Sequence, residues 1–255
     1  MNLTEMMRRD WDERARRNAF HYIASWKQKW DVQSFLASGE KDYAALVAPV
    51  LQRCGVPTAG EVLIELGCGA GRMTHSFARR YKQVVAMDIS TEMLQRAREI
   101  DAPQENIMWL RAGGADLSCV AGNSADFLFS YLVLQHLPNE ELVFGYVREF
   151  MRVLRPGGAF LFQFNGNHTP TMNLRGQLAW GVVDTLWSAW LAWLSRIAAR
   201  ALGLDPATAG KSWRGAAIEA ARVVSALRSS GAEVRELSGE GTPMTWCCGV
   251  KQAGA

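Results

Sequence analysis

The apolar positions of this chain change period several times, and each change marks an element. From residue 3 they recur every three or four positions (Leu3, Met7, Trp11, Ala15, Ala19, Tyr22, Trp26, Trp30), so the spacing predicts a helix to about residue 30. Asn2 followed by Glu5 supplies a capping pair at its start. The arginines in this stretch (Arg8, Arg9, Arg14, Arg16, Arg17) alternate with acids and read as a solvated face. Ser34 to Lys41, centred on Ser38-Gly39, reads as a break. Asp42 to Arg53 returns to a helix, with Tyr43, Leu46, Val47, Val50 and Leu51 on one side, and Gly55 and Pro57 end it.

The pattern then shortens to contiguous apolar runs: Val62-Leu63-Ile64, Gln83 to Met87, Ile107 to Leu110, Asp126 to Tyr131 and Ala159 to Phe164. Runs apolar on both faces are what buried parallel strands require. Between them lie a helix from Met73 to Tyr81, one capped by Ser90 that runs through Met93, Leu94 and Ala97, and one opened by Pro138 with Asn139, Glu140 and Glu141 at its positive end. Strands alternating with helices predict a doubly wound α/β fold.

The second half is less regular. Asn165 to Gly176 is a polar loop with Asn165, Asn167, His168 and Asn173. Leu178 to Leu202 reads as an apolar helix carrying Trp180, Trp187, Trp190 and Trp193. A membrane span needs ~20 uninterrupted apolar residues, and Asp184 interrupts the run while Arg196 closes it. Gly203 to Arg214 reads as a loop, Ala216 to Ser230 as a helix, and Glu233 to Leu237 and Met244 to Val250 as strands. Trp213 and Trp246 are candidates to line a pocket, against a plain packing role.

Composition adds bounds. A chain of 255 residues can bury one core, with or without a cap. The net charge of +3 is small and spread out, which gives no case for nucleic acid. Five cysteines show no metal-like spacing, and adjacent Cys247-Cys248 are poorly placed to pair with each other. Together with an N-terminus that lacks a signal-peptide core, this predicts a reduced, cytoplasmic setting and no metal centre.

The candidate chemistry sits between Glu61 and Ser90. A strand runs into Gly67-Cys68-Gly69-Ala70-Gly71, a helix follows, and a second strand ends at Asp88. Glycines there let a ligand lie against the main chain, and an acid at Asp88 suits a ribose diol. The spacing is G-x-G-x-G, not the G-x-G-x-x-G of dinucleotide sites, and Glu65 beside the turn would repel a diphosphate. Further on come Gln135-His136-Leu137-Pro138 and Arg152-Val153-Leu154-Arg155-Pro156-Gly157-Gly158.

In this order, over residues 61 to 165, these segments resemble the motifs of class I S-adenosylmethionine-dependent methyltransferases that act on small molecules. The resemblance implies a Rossmann-like methyltransferase fold: a mostly parallel seven-stranded sheet with an antiparallel closing strand, a helical N-terminal lid and a helical insertion after the fifth strand. It divides the chain into a lid and lead-in helix (1–57), a cofactor-binding core (58–165), a tryptophan-rich cap (166–214) and a C-terminal part that completes the sheet (215–255). By position, a cap over the acceptor ranks ahead of a homodimer surface, and that ahead of a membrane-surface contact.

The implied cofactor is S-adenosylmethionine, held by Glu65, Gly67, Gly69 and Gly71 at its methionine end, by Asp88 at the ribose, and by Ile89, Met93, Asp116 and Leu117 around the adenine. Tyr131 is implied near the sulfonium. His136 and Tyr22 are the catalytic candidates, His136 with a structural alternative and Tyr22 as an aromatic lid residue. Asp116 has a plain loop or capping alternative. The implied reaction moves a methyl group to an O, N or S atom of a small, hydrophobic or aromatic acceptor. Two other classes remain open here: a binding module for S-adenosylmethionine or its demethylated product without methyl transfer, and a nicotinamide-dependent oxidoreductase.

Overall fold

The computed structural model describes residues 2–100, 104–167, 174–189, 191–204, 206 and 211–253. Its frame is a seven-stranded sheet built from β1 (Gly60–Leu66), β2 (Tyr81–Asp88), β3 (Ile107–Arg111), β4 (Ala125–Ser130), β5 (Leu154–Phe164), β6 (Ala232–Ser238) and β7 (Thr245–Lys251), in the order β3-β2-β1-β4-β5-β7-β6. The first five strands are parallel, and β7 runs antiparallel between β5 and β6. The chain reverses its direction of winding between β1 and β4, so the carboxyl ends of those strands open a crevice, the usual ligand site of such sheets.

The helices are α1 (Leu3–Ile23), α2 (Val32–Asp42), α3 (Ala48–Arg53), α4 (Thr74–Ala78), α5 (Thr91–Ile100), α6 (Glu140–Val153), α7 (Leu174–Ser188), α8 (Ala192–Ala201), α9 (Lys211–Arg214) and α10 (Ala220–Ser229). One face of the sheet packs Ile64, Leu128, Phe160 and Phe162 against Tyr146, Val147 and Phe150 of α6 and Val223 and Leu227 of α10. The other packs Leu63, Phe127, Phe129 and Leu161 against Val47, Leu51 and Phe77. The predicted caps at Asn2 and Ser90 are in place, accepting from Glu5 N–H and Met93 N–H, while α6 opens at Glu140 and not at Pro138, with Asn139 as its cap accepting from Leu142 N–H.

Several boundaries differ from the sequence reading. The break expected at Ser34–Lys41 is helix α2. Gly39 does not interrupt it; a Cβ there would stand 1.8 Å from the Arg72 carbonyl oxygen, so glycine serves a close approach between α2 and the turn after β1. Helix α1 ends at Ile23 after a non-helical residue at Asn18, so Trp26 and Trp30 lie on the following loop. Its charges are only partly solvated: Arg9, Arg16 and Arg17 are exposed, but Arg14, Asp10 and Asp12 are buried. The helix expected from Met73 to Tyr81 is shortened to α4, because Tyr81 already pairs in β2.

The apolar run from Leu178 is a hairpin, α7 and α8, not one helix, closed by Val183 and Ala199 with Trp180, Ala198 and Leu204. Residues 211–214 form the short helix α9 within an expected loop, while α10 starts four residues later than expected, at Ala220. His168, Asn173 and Trp190 lie outside the described residues.

Candidate functional site

At the carboxyl ends of β1, β2 and β4 lies a cavity of about 360 Å³. Its floor is the turn after β1. Gly67 and Gly69 have φ of 77° and 56°, a region that side-chain-bearing residues avoid. A Cβ on Gly67 would meet Val133 Cγ2 at 2.0 Å, and one on Gly69 would meet Ile23 Cδ1 at 2.7 Å. Only glycine leaves this cradle open. Gly71, also at positive φ, faces Trp109 and Ala97 instead and lies outside the cavity wall.

Asp88 ends β2 inside the cavity. Its Oδ2 accepts from Gly69 N–H at 2.9 Å and its Oδ1 from Ser90 N–H at 2.8 Å. Burial pushes its pKa up to about 6 against these amide bonds, and the nearby Asp12 carboxylate adds to the push. Each oxygen keeps a second lone pair for a hydroxyl. Glu65 also lines the cavity, accepts from Thr74 Oγ1 at 2.6 Å, and is pushed up to about 7 by burial. Two buried acids beside a glycine cradle suit a ligand with a ribose and a cationic group, and suit a diphosphate poorly. The residues present therefore fit S-adenosylmethionine.

Of the other expected binding residues, Ile89, Met93 and Tyr131 line the cavity, and Tyr131 stacks on Trp246 at 5.0 Å. Asp116 does not: it is exposed and its Oδ1 closes a local turn by accepting from Ser118 N–H and Oγ–H, which is its capping alternative. Leu117 is fully buried away from the cavity, with its N–H donated to Glu149 Oε2 and its carbonyl accepting from Arg152. Ala112 and Gly114 take the place expected for those two on the wall.

The far wall comes from outside the sheet. Helix α1 contributes Met7, Trp11 and Tyr22, the loop after it Trp26, and α9 Trp213. Tyr22 meets Trp213 edge-on at 5.9 Å. His136 completes a cluster with Trp11 and Trp213, 5.2 Å from each ring, and its Nδ1 pairs with the Trp213 carbonyl. Its Nε2 faces the Gln135 amide at 3.2 Å. Both catalytic candidates thus border the cavity, and His136 also has the backbone tie of its structural alternative.

Sequence reading missed the groups that fasten this wall. Asp10, on α1, accepts from Trp187 Nε1–H at 2.9 Å, from Ser212 Oγ–H at 2.5 Å and from Arg196 at 3.0 Å. Asp12, one turn away from Arg8, accepts from Ser90 Oγ–H at 2.7 Å and from Arg8 at 2.7 Å. Arg14 is buried over Trp11 and Trp213, and burial draws its pKa down to about 10. One helix is therefore bonded to the start of α5 on one side and to the insertion on the other. Arg72, next to the glycine turn, was also unremarked; it lines the cavity and pairs with Asp42 at 2.6 Å.

Among the described residues no cluster of His, Cys, Asp or Glu could hold a metal ion, and no helix is long and apolar enough to cross a membrane. The described cysteines are unpaired, Cys247 and Cys248 included.

Residues 64–162 match a family described as Methyltransferase domain. Among curated relatives, a demethylmenaquinone methyltransferase of Tropheryma whipplei (strain Twist) is 36% identical over 101 residues, 40% of each chain. A malonyl-[acyl-carrier protein] O-methyltransferase of Serratia marcescens is 32% identical over 130 residues, 49% of this chain and 48% of that one. The chain thus spans about half the length of the curated relatives it matches, or less. A solved structure, magnesium protoporphyrin IX methyltransferase from Synechocystis PCC 6803 with bound SAH, shares the fold at a TM-score of 0.61 and 18% identity, over 97% of this chain and 99% of that one. The domain match displaces the oxidoreductase alternative.

Proposed function

We propose that this chain, which carries a domain of the class I S-adenosylmethionine-dependent methyltransferase family, transfers a methyl group to an O, N or S atom of a small apolar or aromatic acceptor. When bound, S-adenosylmethionine supplies a methyl group activated by its sulfonium. The chain's own residues bind and orient. The glycine cradle with Glu65 takes the methionine end, Asp88 the ribose, and Ile89 and Met93 the adenine side. Tyr22, Trp26 and Tyr131 offer electron-rich faces to a cation. The aromatic wall shuts out water and leaves a space whose surroundings are mostly rings and methyls.

The single observation that carries this reading is the meeting of two unlike surfaces in one cavity. A buried acid-and-glycine floor comes from the sheet; facing it is an aromatic wall in which Tyr22 comes from the lid and Trp213 from the insertion, packed on His136 from the turn after β4. Of the relatives named above, the demethylmenaquinone enzyme is in keeping with an apolar acceptor, while the malonyl-[acyl-carrier protein] enzyme takes a carboxylate on a carrier, so together they do not choose the acceptor or its atom.

The test is calorimetric titration with S-adenosylmethionine and S-adenosylhomocysteine, with NADH as control. Transfer of label from methyl-labelled cofactor to a panel of phenols, quinols, amines and thiols follows. Micromolar binding of the first two alone, with label in any panel member, is the expected result. Binding with no transfer to any class would favour the module without chemistry, and equal binding of NADH would sink the proposal.

A further inference from the structure

Gln163 is fully buried in β5 between Phe162 and Phe164, where a strand covered on both faces otherwise carries apolar side chains. Its amide is bonded on every side. Oε1 accepts from Leu132 N–H at 3.0 Å, while Nε2 donates to the Pro243 carbonyl at 2.5 Å and to Gln135 Oε1 at 3.0 Å. A main-chain N–H can only donate and a main-chain carbonyl can only accept, so these two neighbours fix which way the Gln163 amide points.

The consequence passes outward. Because Gln163 presents its NH2 to Gln135, the Gln135 oxygen faces inward and its own NH2 faces His136 Nε2 at 3.2 Å. That nitrogen must then carry the lone pair. On the other side of the ring the Trp213 carbonyl can only accept, so Nδ1 carries the hydrogen. Three main-chain groups at the ends of the network leave one arrangement of its protons.

We propose that Gln163 is a positioning residue: acting through Gln135, it holds His136 as the neutral tautomer with its hydrogen on Nδ1 and its lone pair on Nε2. A second proton would set an N–H of the ring against an N–H of Gln135. The surroundings act in the same direction. Trp11 and Trp213, in contact with each other, both pack on the ring, and the charged group that acts on it from α1 is the Arg14 guanidinium. Burial draws the His136 pKa down to about 4, opposed by the Trp213 carbonyl and assisted by Arg14. An acceptor O–H or N–H would then meet a nitrogen already unprotonated at neutral pH, in place of one displaced amide. That last step rests on the methyltransferase reading; the tautomer does not.

The experiment is two-bond 1H–15N correlation NMR of the histidine rings in 15N-labelled full-length protein without cofactor, with His136 assigned from the spectrum of His136→Asn. The expected wild-type pattern is Nδ1–H, unchanged from pH 5.5 to 8. An Nε2–H pattern, or titration near the ordinary value, overturns the proposal. Gln163→Glu keeps the acceptor for Leu132 but cannot donate to Gln135, whose amide should turn and offer its oxygen to the ring. His136 should then gain a second proton, with its pKa raised by roughly two units. Gln163→Leu should give mixed tautomers and a smaller rise; a purely space-filling role would shift the ring alike in both variants. Should Gln163→Glu not fold, Gln135→Met, on the cavity wall, removes the N–H aimed at Nε2 and should raise the pKa while Nδ1–H persists. Wild-type ring signals in Gln135→Met would overturn the proposal. Calorimetry with S-adenosylhomocysteine on the same samples reports separately on the methyltransferase reading.

Discussion

The two sides of the cavity are built by different means. The side proposed for the cofactor is made of main chain: strand ends in fixed register, a glycine turn, and an acid held by two backbone amides. The side proposed for the acceptor is made of side chains brought from distant segments: rings from α1 and α9, and a buried carboxylate that fastens them. Main-chain geometry leaves little freedom, so the first side should hold its shape when a ligand arrives. Side-chain fastening can be undone one bond at a time, so the second side is the one that single substitutions should loosen.

If that contrast is right, breaking each side gives a different signature. The largest effect is expected from Asp88→Ala, which removes the ribose acceptor and frees the amides of Gly69 and Ser90. Affinity for S-adenosylhomocysteine should fall by ~1000-fold, about 4 kcal/mol, the worth of roughly two hydrogen bonds to a charged group, as read by calorimetry. Unchanged affinity would show that the ribose lies elsewhere.

Next comes Gly39→Ala. Its methyl group would overlap the Arg72 carbonyl and push the glycine turn from beneath, at a cost of about 3 kcal/mol. Urea denaturation should show this, and a neutral result would mean that α2 is free to move away.

Asp10→Ala should cost about 2 kcal/mol, since it strands the Trp187 and Ser212 donors, while Arg196, partly exposed, keeps its pairing with Glu13. Here the contrast sharpens: affinity for S-adenosylhomocysteine should hold within about twofold, while hydrogen exchange in α7 and α8 rises several-fold. Equal loss on both sides would make the cavity a single unit.

The last effect is a dependence on pH and concerns Glu65. Its folded pKa of about 7 lies above the ordinary 4.5, so the folded chain holds the extra proton between those values. Stability from this group is full below about pH 4.5 and is lost as pH rises to about 7. Glu65→Gln removes that slope. Its melting temperature should match wild type near pH 4.5 and exceed it by a few degrees at pH 8.

The sheet and its turns were legible because their signals are local. Val62-Leu63-Ile64 and Asp126–Tyr131 are near-contiguous apolar runs, as strands buried on both faces need, and the turn after β1 is at positive φ on glycines, although Asn123 and Leu132 reach positive φ elsewhere with side chains. The failures have a common cause: a residue type was read for its usual setting. Gly39 was read as a helix breaker, but it sits in a helix for want of space beside it. Asp10, Asp12 and Arg14 were read as solvated because charge ordinarily is; their partners lie far along the chain, where periodicity has no reach. Asp116 was placed by analogy of position, and a two-residue turn with Ser118 was enough to take it out of the cavity.

Those distant partners also bear on how the protein is made. The residues that bond Asp10 lie 177, 186 and 202 positions later in the chain. At 5–20 residues per second, translation reaches the last of them roughly 10 to 40 seconds after Asp10 itself. Helix α1 leaves the ribosome before its partners; it can dock on the start of α5 once Ser90 and Met93 are made, but its bonds to the insertion wait until most of the later chain exists. The strands β1 to β4 can assemble during that wait, so the floor of the site exists before its roof, and a nascent chain would meet cofactor well before it could enclose an acceptor.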